Sequence, residues 1–131
     1  MTHLPDERNR FYGDVVTEWI ADESRMMRLK EDFSFIDGSG KKWLAPEGSL
    51  IDGASIPRFF WRVIGSPFFG HFRRASVIHD VYCVTKSEPY KKVHKMFYNA
   101  MIADGVSKRK AKAMYWAVKM GGPKWPSKLK P

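Results

Sequence analysis

Phe72-Arg73-Arg74-Ala75-Ser76-Val77-Ile78-His79-Asp80-Val81-Tyr82-Cys83 is the stretch on which the fold turns. Phe72, Ala75, Ser76, His79, Tyr82 and Cys83 recur at three-and-four spacing, which places them on one face of a helix. The helix is predicted from about His71 to Val84, with His79 toward the core and Asp80 roughly 100° around the axis. A break at Ser87-Glu88-Pro89 supplies a cap and an early proline. Beyond it, Tyr90, Val93, His94, Phe97, Tyr98 and Met101 form a second apolar stripe, ending near Asp104-Gly105. So short a connection favours antiparallel packing, which turns the two stripes together and brings His79 and His94 within contact range. His71 points away from that groove and is left out of the site.

A third helix is capped by Ser107 and stopped by Gly121-Gly122-Pro123, a glycine end followed by a breaker. Upstream the pattern changes period. Met27, Leu29, Phe33 and Phe35 alternate with polar neighbours, as strands require. Asp37-Gly38-Ser39-Gly40 is a turn, and Lys41–Ala45 reads as the returning strand of a hairpin. Pro46-Glu47-Gly48 turns the chain into Ser49-Leu50-Ile51. In the loop Asp52-Gly53-Ala54-Ser55-Ile56-Pro57, Ser55 is a candidate N-cap for a short apolar helix through Phe59–Ile64. Residues 1–24 are a polar lead-in in which Phe11, Val15, Val16, Trp19 and Ile20 fit a short helix or a strand. The expected architecture is a single α+β domain over residues 1–131. A β meander and loop occupy 25–57, a helical half with two antiparallel core helices 58–122, and an extended basic tail 123–131.

A chain of 131 residues can bury one real core, and its 15% aromatic content argues for folding rather than disorder. No stretch approaches the ~20 apolar residues that span a bilayer. Nor does Met1–Glu7 have the basic-then-apolar layout of a signal peptide. A soluble protein not exported by that route is the expectation. The single cysteine, Cys83, excludes an internal disulfide or a multi-cysteine zinc site, and reads as a small buried hydrophobe.

The net charge of +9 is uneven. Residues 1–85 carry 11 Lys/Arg against 12 Asp/Glu, whereas residues 86–131 carry 12 against 2. Lys91, Lys92, Lys95, Lys108, Arg109 and Lys112 fall mostly on polar helix faces, a surface that attracts phosphate or an acidic neighbour. The plainer reading is a solvated face that keeps the protein soluble. Tyr115, Trp116 and Trp125 interleave with these lysines. Aromatics at helical spacing are core more often than stacking platforms, and no recognised nucleic-acid motif is present, so nucleic acid is the weaker alternative.

An inward histidine has a bland explanation, a ring packed among aromatics with one nitrogen on a backbone carbonyl. Two of them on adjacent helices, one followed by Asp, also suit chemistry. His79 could activate water while Asp80 holds a hard cation, with Asp52 as a second carboxylate. Asp52 is as readily a turn residue bonding its own backbone.

Pro46-Glu47-Gly48, Ile51–Pro57, Arg74-Ala75 with His79-Asp80, and Met114–Val118 together resemble a family of small tailed-phage and prophage proteins, domain of unknown function 1353, over roughly residues 25–122. That resemblance implies a virion, lysis or host-takeover role by association. His79-Asp80 followed by His94, Phe97 and Met101 on the next helix is also similar to the phospholipase A2 superfamily. This second resemblance implies His79 as base and Asp80 as calcium ligand, with His94 where an orienting acid would stand. The glycine-rich calcium loop and disulfides of that superfamily are not recognisable, and Tyr82 sits three rather than four residues after His79.

Three functions follow as expectations. First is a phage accessory protein, a structural or adaptor part of a tail or baseplate, with Trp125 and the proline-rich tail docking on a neighbouring virion protein. Second is a metal-dependent ester hydrolase acting on envelope lipid, seated on anionic membrane by its lysines. Nucleic-acid binding is third.

Overall fold

A computed structural model describes residues 8–20, 26–51 and 72–126. Asp52, Ser55, Pro57, the helix expected over 59–64, His71 and the last five residues lie outside the described residues. Among the described residues, six strands precede three helices, an α+β arrangement: β1 (Arg10–Tyr12), β2 (Thr17–Trp19), β3 (Met27–Leu29), β4 (Phe33–Ile36), β5 (Lys42–Ala45), β6 (Leu50–Ile51), α1 (Arg73–Thr85), α2 (Tyr90–Ala103) and α3 (Lys108–Gly121).

The strands form two antiparallel three-stranded sheets rather than one consecutive meander, ordered β1-β4-β5 and β2-β3-β6. The lead-in therefore contributes a strand to each sheet. β1 enters through its aromatics: Phe11 pairs with Phe35 and lies parallel to Phe33 at 5.5 Å. The β4–β5 hairpin forms where expected, and Asp37 fastens it. Its Oδ1 accepts from Ser39 N, Ser39 Oγ and Lys41 N at 2.7–3.0 Å, and its Oδ2 accepts from Trp43 Nε1 at 3.0 Å. Burial pushes this carboxyl upward, but the hydrogen bonds from Trp43, Ser39 and Lys41 outweigh it and hold the pKa below 3.8.

α1 lies between the strands and α2, while α3 packs on α2. Its central place corrects the single-face reading of the sequence. Every residue from Ala75 to Val81 is buried, Asp80 included at 2% exposure, because sheet covers one side and α2 another. Tyr82 ties helix to sheet: its hydroxyl accepts from Leu44 N at 2.9 Å, with Trp43 edge-on at 5.0 Å. Arg73 reaches the other sheet, donating to Val15 O and Thr17 Oγ1 at 3.4 and 3.3 Å. Leu29, Phe33, Phe35, Ile78, Val93, Phe97, Met101 and Met114 make the continuous core.

The helix ends follow local chemistry, with one change. Pro89 itself occupies the N-cap of α2, its carbonyl accepting from Lys92 N and Val93 N, whereas the expected Ser87 lies beside Thr85. Gly105, at φ +94°, closes α2 as Val106 N returns to Met101 O. Ser107 caps α3 through Lys110 N at 3.3 Å. Among the described residues, no helix is long and apolar enough to cross a membrane.

Candidate functional site

α1 and α2 are joined by only Lys86–Pro89, and Lys86 turns the chain in a left-handed conformation with φ +57°. The helices therefore run antiparallel, and residues placed similarly on either side of the turn meet. His79 and His94 do so. Nε2 of His79 lies 2.9 Å from Nδ1 of His94, with His79 0% exposed and His94 1%.

The second nitrogen of His94 fixes the protons. Nε2 of His94 stands 3.0 Å from the Pro123 carbonyl, which can only accept, so this nitrogen carries a hydrogen. In the neutral ring Nδ1 is then an acceptor, and His79 must donate from its Nε2. Burial favours these neutral forms. Desolvation, and after it the neighbouring His94, holds the His79 pKa well below 6.5. Desolvation lowers His94 too, aided by Lys124 and opposed by the bond to Pro123.

Backbone geometry places the Pro123 carbonyl. Gly122 follows α3 so closely that a Cβ there would stand 2.6 Å from Val118 O. Trp125 then folds back on the same domain. It is 6% exposed, its Nε1 donates to Glu88 O at 2.8 Å, and its ring meets Tyr90 and His94 edge-on. The expectation that Trp125 docks on a neighbour is corrected: it closes this chain's own core over the histidines.

Phe97 stacks on His79 at 4.4 Å, and Cys83, one turn along α1, puts Sγ 3.7 Å from Nε2 of His79. His79, Cys83 and His94 each offer a ligand atom within 4.8 Å of the others, so the three could hold a metal ion. Burial, then the charge of Asp80, pushes the Cys83 thiol far up, with Lys86 opposing. Without a metal, Cys83 is a neutral thiol rather than a nucleophile. The spacing of His79 and Cys83 by four residues was the available signal for this group; reading Cys83 as packing alone missed it. Asp80 is buried beside the pair but stands outside this group, and Asp52 lies outside the described residues.

On the solvent side, a cavity of about 320 Å³ is lined by His94 with Tyr90, Lys91, Tyr115, Lys119 and Lys124. Of the six basic residues expected to face an anionic partner, only Lys91 lines it. Lys92 and Lys95 flank a second recess with Asp37 and Trp43, and Lys108, Arg109 and Lys112 project from α3. Trp116 and Met120 are 57% and 71% exposed on α3.

Two curated relatives come from Sinorhizobium fredii (strain NBRC 101917 / NGR234). Uncharacterized protein y4jT is 52% identical over 105 residues, covering 80% of this chain and 31% of the relative. Uncharacterized protein y4iH is 38% identical over 119 residues, covering 91% of this chain and 50% of the relative. The chain thus spans about a third of one relative's length and half of the other's. No solved structure matches. Residues 27–118, most of the chain and all but the outermost strands and the closing segment, match the family described as protein of unknown function (DUF1353), and the chain belongs to that family.

Proposed function

We propose that this domain is a phage or prophage accessory module, a structural or adaptor component of a tail or baseplate, rather than a working enzyme. One observation carries the choice. His79 and His94 are buried at 0% and 1% exposure, with His79 Nε2 bonded to His94 Nδ1 and His94 Nε2 to the Pro123 carbonyl. A general base must reach the proton it abstracts, and a base held well below neutrality is a weak one. The pair instead reads as a polar lock joining α1, α2 and the closing segment. What the module presents to a partner is the cationic outside of α2 and α3, with Trp116 and Met120 exposed among lysines, a surface suited to an acidic neighbour. Matches that cover only 31% and 50% of the relatives support a module used within larger proteins.

The test is immunodetection in gradient-purified particles induced from a carrier strain. The protein is expected at fixed stoichiometry, and Lys108→Glu with Arg109→Glu and Lys112→Glu should release it. Particles of full infectivity that lack the protein would end this reading.

A second reading, a calcium-dependent ester hydrolase, is favoured by the 2.9 Å contact itself, since His94 stands where an orienting group would. His79 would be the base, with Asp80 and Asp52 holding the cation. A neutral imidazole orients its neighbour but stabilises an imidazolium far less than a carboxylate does. Phospholipid vesicles with calcium decide it: fatty-acid release above a His79→Ala control would restore the enzyme.

A further inference from the structure

We infer that His79 Nε2, His94 Nδ1 and Cys83 Sγ form a binding site for a borderline-soft transition-metal ion of the zinc class. The inference uses the same buried pair as the adaptor reading but gives it an occupant, an ion rather than a catalytic water.

Three features of the core converge on it. The donor set is two imidazoles and one thiol, which suits zinc and ill suits calcium, a hard ion that takes oxygen ligands. Spacing comes next. Tetrahedral zinc with Zn–N of about 2.05 Å and Zn–S of about 2.3 Å separates two nitrogens by roughly 3.3 Å and nitrogen from sulfur by roughly 3.6 Å. Cys83 Sγ already stands 3.7 Å from His79 Nε2, the two rings, at 2.9 Å, must part by about 0.4 Å, and Cys83 and His94, whose ligand atoms lie within 4.8 Å, must close to about 3.6 Å. Third, His94 has the outer bond that zinc-ligating histidines use. Its Nε2–H donates to the Pro123 carbonyl at 3.0 Å, leaving the Nδ1 lone pair aimed into the group.

Protons balance simply. The ion displaces the Cys83 thiol proton to solvent, forming the metal–thiolate bond. His79 gives up its Nε2 proton and takes one at Nδ1, becoming a ligand through Nε2. One proton is released per ion, so affinity rises with pH. The attraction of the ion replaces the burial penalty that keeps Cys83 protonated.

The experiment titrates Co²⁺ and Zn²⁺ into the EDTA-stripped full chain, following absorbance, proton release and melting temperature. One ion per chain is expected. Cobalt should give a thiolate charge-transfer band that Cys83→Ser abolishes and Asp80→Asn retains. Zinc should bind at least 100-fold more weakly to Cys83→Ser and to His94→Gln. Because Cys83→Ser is nearly isosteric, its unliganded melting temperature shows whether it folds. No cobalt band in the folded wild type, or zinc binding unchanged by Cys83→Ser, overturns the site. Calcium displacing zinc does so as well.

Discussion

α2 carries two chemistries on opposite faces. Inward, His94 is sealed against His79 and held neutral. Outward, Lys92 and Lys95 are exposed, with Lys95 Nζ over Tyr98 and Tyr115 at 5.3 and 5.8 Å. His94 and Lys95 are adjacent in sequence, yet burial alone makes one a polar lock and the other a solvated charge. Ionisable residues therefore announce little by identity; the face they occupy decides whether they hold the fold together or meet a partner.

Breaking the inner face should cost most. His79→Ala removes the ring stacked on Phe97 and strands His94 Nδ1 in the core, so unfolding by denaturant should show a loss of about 3–5 kcal/mol. A loss under 1 kcal/mol would mean that the two faces differ less than the geometry implies.

Acid tests the same contrast without mutation. Both histidines are depressed below 6.5 in the folded chain, so the unfolded chain takes up protons first as pH falls. Stability is complete above about pH 6.5 and declines below it, by up to about 1.4 kcal/mol per pH unit for each histidine. Melting curves from pH 8 to 5 check this, and His79→Asn with His94→Gln should flatten the slope. Asp37 adds a separate loss only in stronger acid, as pH drops through its lowered pKa.

Tyr82→Phe probes the bond between helix and sheet. It leaves Leu44 N unpaired and should cost about 1–2 kcal/mol, read by the same denaturation. Outside, Lys92→Glu should change stability by no more than about 0.5 kcal/mol, since its side chain is exposed at the rim of the recess beside Asp37. A larger change in the melting curve would show that the basic face also supports the fold.

Much of this contrast was legible in the chain. The three-and-four spacing of Ala75, His79 and Cys83 against Val93, His94 and Phe97, with a four-residue connection, implied the facing histidines. Asp37-Gly38-Ser39-Gly40 implied the hairpin. Burial of Asp80 was not legible, because it depends on sheets and α2 covering α1 from different sides. The strand order was hidden as well: β1 pairs with β4 and β3 with β6, non-consecutive choices that strands of two to four residues do not encode locally. The role of Trp125 turned on Gly122, whose close approach to Val118 O aims the closing segment back at His94.

The claim that the His79–His94 pair is a buried, neutral, hydrogen-bonded lock is tested most directly by nitrogen-15 NMR of the imidazoles against pH, in EDTA. His79 should remain the Nε2–H tautomer, with a slowly exchanging ring proton, well below pH 6.5, and His94 should keep its proton on Nε2. Two rings titrating freely near 6.5 with rapidly exchanging protons would contradict it.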